Sequence, residues 1–264
     1  MIVDTHVHVF TGDRKNYPQI RDTPRAGSIP SVTDIGPSMY CETKYLNREK
    51  LKSLGLLFNP FKAVVAPRPI GWVTTINSKG VVNLAPYSFF NAVSTDPPMV
   101  FFGANGTHDA DGGEKDSLRN VRETGEFVCN MVSWDLRHAM NDTSAPAPRG
   151  VNEMQAADIA HIPSRLVKPP RVAASPAHLE CKLHQFLELP VDPRTGKKNV
   201  MVIGHVVAMH IDDAFIVNGR FDTARAKLVA RLGYMDYAVV TEAFAIDRPD
   251  WPLVRTNKTE KAGA

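Results

Sequence analysis

The sequence predicts a mainly β protein, an antiparallel β-barrel with helices added singly at its periphery. Segments rich in Val, Ile, Thr and aromatic residues recur from Ile70 to Ile246, the composition of pleated, half-buried strands. Helical patterns between them are short and isolated, unlike the regular strand–helix alternation of a parallel sheet. Gly 17 and Pro 20 in 264 residues provide the turns that a strand-heavy chain needs.

Composition narrows the function classes. Lys+Arg 31 against Asp+Glu 28 leaves +3, which gives no basic stripe for nucleic acid. The apolar run Met99-Val-Phe-Phe102 falls far short of the roughly 20 residues of a membrane span. The cysteines, Cys41, Cys129 and Cys181, are three and lack a CxxC pair, so no disulfide framework is expected and a reducing cytoplasm is. Met1-Ile-Val meets Asp4 at once, without the basic and apolar regions of a signal peptide.

Along the chain, residues 11–38 hold Pro18, Pro24, Pro30 and Pro37 with no strand or helix period, so residues 1–38 read as an extended arm. Residues 62–69 read as a short strand closed by prolines. Residues 70–76 and 81–88 form a hairpin about Asn77-Ser-Lys-Gly80, and 99–103 is an apolar strand. After a polar loop, residues 115–125 read as a helix capped by Asp116 or Ser117 and stopped by Gly125. A strand over 126–132, a helix over 134–141, a proline-rich stretch over 144–150 and a short helix over 151–159 come next. Strands over 177–189, 199–211 and 237–246 complete the domain, placed at residues 39–250, and 251–264 read as a flexible tail.

Five motifs occur in order: Arg68-Pro-Ile-Gly-Trp-Val-Thr-Thr75, Asn83-Leu-Ala-Pro-Tyr-Ser-Phe-Phe-Asn91, Ser94-Thr-Asp-Pro-Pro-Met99, Lys115-Asp-Ser117 and Arg231-Leu-Gly-Tyr-Met-Asp-Tyr237. Together they resemble the flavin reductase-like family, the FMN-binding split-barrel proteins. The resemblance implies a six-stranded antiparallel split barrel and FMN, with NADH or NADPH as electron donor. It also implies a homodimer with the flavin in a cleft between subunits, and a monooxygenase as candidate partner. The reaction it implies is hydride transfer from the nicotinamide to flavin N5, which assigns no acid–base residue.

The residues suit such a ligand. Lys115, Asp116 and Ser117 offer a cation, a hydroxyl and free N–H groups at a helix start, a phosphate site. Thr74 and Thr75 add hydroxyls for phosphate or ribityl. The resemblance sets Asn83, Ala85, Pro86, Tyr87, Ser88 and Phe89 alongside the isoalloxazine, where Pro86 is expected to break the strand ladder and free backbone groups. Trp72, Tyr87 and Phe89 can wall a flat ring, and Arg68, between prolines at the head of the first motif, is counted with the cofactor-binding residues. Arg231, Gly233 and Tyr234 lie, by the resemblance, near the flavin and the second substrate. The stretch containing Asn141, Thr143, Ser144 and Glu153 resembles a loop of one branch of the family that closes over the flavin.

Two other readings stay open. One is a flavoprotein that holds FMN tightly and passes electrons without releasing it. The other starts from His6-Val-His8, which places both imidazoles on one strand face. Residues 2–10 resemble the first strand of the amidohydrolase superfamily, where such residues ligate zinc in a metal-dependent hydrolase. The rest of the chain lacks that superfamily's strand–helix alternation, so no metal is expected. His178/His184 and His205/His210 lack the spacing of a ligand pair on one strand face, and no GxGxxG or P-loop occurs.

Overall fold

The computed structural model describes residues 47–109, 111–191, 195–249 and 251. The readings on His6, His8, the arm and most of the tail lie outside these residues. The described residues fall into two units. In one, α1 (Arg48–Ser53) is capped by Asn47, whose carboxamide accepts from Lys50 N at 2.8 Å.

The other unit is Pro60–Phe244. It opens with α2 (Phe61–Val64), β1 (Arg68–Pro69), β2 (Gly71–Ile76), β3 (Val82–Tyr87), β4 (Phe90–Thr95) and β5 (Pro98–Asn105). There follow α3 (Asp116–Thr124), β6 (Glu126–Met131), α4 (Arg137–Asp142), α5 (Glu153–Ala156), β7 (His161–Ile162) and β8 (Arg171–Val172). The long strands β9 (Ala177–Glu188) and β10 (Asn199–Ile211) precede β11 (Ile216–Val217), β12 (Arg220–Phe221), β13 (Val229–Arg231) and β14 (Tyr237–Val239).

Seven strands form one antiparallel sheet in the order β3-β2-β6-β9-β10-β5-β4. Its two edge strands, β3 and β4, are consecutive in the chain, and only Ser88 and Phe89 separate them. The sheet therefore curls until its two edges come together at that step, and Phe89 O, accepting from Gly103 N at 2.7 Å, carries the β4–β5 ladder up to it. A second, three-stranded sheet runs β1-β13-β14.

Side-chain alternation along β2 divides the interior in two. Val73 joins Tyr87, Phe90, Phe102, Phe127 and Val202 inside the barrel, where α3 adds Leu118 and Val121. Trp72 joins Ile70, Leu84, Met140, Met154 and Val229 on the opposite face. Phe102 and Phe127 meet edge to face at 5.3 Å, each contributing about 1.5–3 kcal/mol by burial. Sealing both faces of β2 explains why five of its six residues are buried without alternation.

Several expectations change. Residues 61–64 are helical and only Arg68–Pro69 extends, because Pro60 starts a turn with α-region dihedrals. The main sheet has seven strands, since β4 adds an edge. The last strand stops at Val239 rather than continuing to residue 246, where its partner β13 runs out. The α3 N-cap is Lys115, through its extended backbone, with no side-chain cap bond. Gly125 closes that helix in the left-handed region at φ 69. The β2–β3 ladder continues through Pro86, which faces Trp72. Pro86 shares its orientation with Leu84, whose N–H points off the sheet, so the proline interrupts no bond.

Candidate functional site

The β3 and α3 motifs meet in space. The Asn83 carboxamide donates to the Ser117 hydroxyl at 2.9 Å, and both residues are buried. The Tyr87 hydroxyl shares a hydrogen bond with Ser117, and burial pushes its pKa up to about 12. Beside them Lys115 is half-buried, and that burial lowers its ammonium pKa against the opposing pull of Asp109. Asn83, Asp116, Arg119, Asn120 and Arg149 line a groove of about 210 Å³ next to this cluster.

The proline-rich loop closes one side of the groove. Arg149 donates to Asp111 at 2.5 and 2.6 Å and to Asp116 at 2.6 Å. These bonds hold the Asp111 carboxyl well below the usual range. The Glu153 carboxylate accepts from Leu84 N at 2.9 Å on the outward edge of β3, and burial raises its pKa. Thr143 Oγ1 accepts from the Trp72 indole N–H at 2.8 Å.

At the other end, the guanidinium of Arg68 donates to the carbonyls of Lys62, Val65 and Leu232, and its Nε has no partner. Its Cζ lies 5.8 Å from the half-buried Phe89 ring. Arg68 is the cross-strand partner of Arg231. Arg231 stacks on Tyr237 at 4.3 Å and donates to the Tyr234 carbonyl. A Cβ on Gly233 would lie 2.6 Å from Ala63 Cα, so the glycine lets this turn rest directly on α2. Tyr234 is 45% exposed with φ 55.

The structure thus groups Asn83, Tyr87, Lys115, Asp116 and Ser117 at one place, and Arg68, Phe89, Arg231, Gly233 and Tyr234 at another. Ala85, Pro86 and Ser88 lie half-buried along the strand between them. Thr74, Thr75 and Trp72 are 0% exposed. The two threonine hydroxyls accept from Asn130 and Asn120 at 2.9 and 3.0 Å. Asn120, Asn130, Arg149 and Lys62 carry no motif signal. A buried Asn within a helix or strand reads as polar surface until its partner across the fold is known.

The curled antiparallel sheet with its short peripheral helices is a split barrel. The flavin reductase like domain matches residues 65–225, and the chain belongs to the flavin reductase-like family. It is 37% identical over 186 residues to protein BH2278 of Halalkalibacterium halodurans, covering 70% of this chain and 87% of that protein. Among solved structures it is similar to nitrilotriacetate monooxygenase component B from Bacillus cereus, with TM-score 0.70, 27% identity, and 80% and 100% of the two chains covered. A Shewanella frigidimarina protein with a split barrel domain shares the fold at TM-score 0.64 and 18% identity, with 80% and 100% covered.

Proposed function

We propose that this protein is an NAD(P)H:flavin oxidoreductase that works on FMN along the outward edge of β3. The observation that carries the reading is the meeting of Asn83 and Ser117 at 2.9 Å beside the half-buried Lys115 ammonium. Lys115 and the unpaired N–H groups opening α3 form a cationic corner suited to a phosphate. The donor set fits the group: a cation, a hydroxyl and helix-start amides at one end, an aromatic ring at the other. When bound, FMN supplies the two-electron redox chemistry, accepting hydride from NADH or NADPH.

The protein's part is orientation. Glu153 takes up the outward N–H of Leu84, which fixes the edge strand without spending a ligand contact. Asn120 and Asn130 hold Thr75 and Thr74, stiffening β2 beneath β3. Phe89 and Tyr234 wall the slot and shed water from it. Positioning of the two reacting rings carries the rate, so no side chain need move a proton during hydride transfer.

The likeness to a monooxygenase component B supports a monooxygenase as recipient of reduced flavin. The exposed outer edge of β4, with Val93 54% exposed, supports assembly as a homodimer. The buried free thiols of Cys129 and Cys181 favour a cytoplasmic setting. Among the described residues, no helix is long and apolar enough to cross a membrane.

The test is the absorption spectrum of purified protein titrated with FMN, followed by NADH and NADPH oxidation with and without added flavin. Saturable flavin binding and flavin-dependent oxidation are expected. Failure to bind FMN overturns the assignment. Oxidation that ignores added flavin points instead to a tightly bound carrier.

A further inference from the structure

Charge is distributed unequally between the two ends of the site. At the start of α3, Lys115 and Arg149 stand among Asp109, Asp111 and Asp116, so carboxylates offset the cations. Around Phe89 the balance is different. Lys62 Nζ lies 6.0 Å from that ring, Arg68 Cζ lies 5.8 Å from it, and Arg231 pairs with Arg68 across β1 and β13. Among the described residues, no carboxylate pairs with any of the three.

Arg68 is only 6% exposed, and its hydrogen-bond partners are three neutral carbonyls. A buried cation with a like charge as strand partner and no counter-ion is unfavourable in isolation. A multivalent anion relieves that repulsion when it arrives, and it gains charge-assisted hydrogen bonds. The two cations that can reach it are the exposed Lys62 and the half-buried Arg231. Arg68 ties the carbonyls of Lys62 and Val65, at the end of α2, to that of Leu232, just past β13. It therefore holds the backbone that carries Lys62 against the backbone next to Arg231.

We propose that Lys62 and Arg231, positioned by Arg68, form a docking subsite for the pyrophosphate of the nicotinamide dinucleotide. The proposal rests on the function proposed above and adds the place where the second substrate is held. It separates the two anions of the reaction. The flavin phosphate belongs to Lys115, and the dinucleotide pyrophosphate belongs to the cluster about Phe89.

The experiment titrates inorganic pyrophosphate into FMN-saturated full-length protein by calorimetry and repeats it with Lys62→Gln, Lys62→Glu and Arg231→Gln. Pyrophosphate is expected to bind, at least threefold more weakly in Lys62→Gln and at least tenfold more weakly in Lys62→Glu. The KM for NADH or NADPH should rise in parallel, while the Kd for FMN stays within about twofold in both Lys62 variants. Lys62 is exposed, so these variants fold even if Arg231→Gln does not. Absence of pyrophosphate binding overturns the subsite, as does binding indifferent to Lys62. A Lys62 effect on FMN affinity in place of pyrophosphate affinity overturns it too. Failure of the flavin reading would show separately, as no FMN binding or no NAD(P)H oxidation, and pyrophosphate binding would still report on the cluster.

Discussion

Asn83 on β3 donates through its carboxamide to the Ser117 hydroxyl on α3 at 2.9 Å, inside the protein. Ser117 also bonds the Tyr87 hydroxyl, so one hydroxyl links the helix to two positions of the strand. Ser117→Ala removes that link and leaves buried polar groups short of a partner. The variant is expected to lose about 1–3 kcal/mol of stability, measured by urea unfolding. Its affinity for FMN should fall while that for riboflavin, which lacks the phosphate, stays constant.

Tyr87 gives an alkaline limit to stability. Its hydroxyl ionises near 10 when exposed and at about 12 in the fold, chiefly through burial. A folded pKa above the unfolded one means a contribution fully present below pH 10 and lost as pH rises toward 12. The loss amounts to about 3 kcal/mol. Urea midpoints across that window should fall steeply in the native protein and less steeply in Tyr87→Phe.

Glu153 behaves as a half-buried acceptor carrying an unwelcome charge. Burial raises its pKa against the Leu84 N–H that steadies the carboxylate. Glu153→Gln keeps an oxygen for Leu84 and removes the charge, so it should be at least as stable as the native protein at neutral pH. The sign follows from the raised pKa: the native carboxyl is most favourable when protonated, so any advantage of Gln fades below the ordinary carboxyl pKa. Glu153→Ala is expected to cost about 1–2 kcal/mol at neutral pH. Thermal melts of both variants over acid and neutral pH check this.

Gly233 and Ala63 form a contact that steric size alone can probe. A Cβ at residue 233 would lie 2.6 Å from Ala63 Cα and nearer still to Ala63 Cβ. Gly233→Ala should cost about 1–3 kcal/mol as α2 is pushed away. Adding Ala63→Gly should recover part of that loss, and a double-mutant cycle measures the coupling.

The strands were readable from sequence where both edges pair, as in β9 and β10, because their length and β-branched content survive any local preference. The helix α3 was readable from its Gly125 stop. What stayed hidden depended on contacts across the fold. β13 is three residues long and exists because β1 and β14 flank it. Arg149 acquires meaning only when two loops bring it to Asp111 and Asp116. Thr74 and Thr75 read from the sequence as ligand hydroxyls, while nothing in a linear pattern marks Asn130 and Asn120 as donors to them. The site motifs stood out in the chain; their supporting asparagines did not.

The barrel's two edge strands are joined by Ser88 and Phe89 alone, so the seam of the cylinder and the edge proposed for the flavin are the same length of backbone. A molecule lying along that edge fastens the cylinder as well as occupying it. At a hundredfold excess over its Kd, such a ligand adds about 2.7 kcal/mol to stability. Much of that gain should appear as slowed amide hydrogen exchange at residues 88–90, the link between the two edge strands.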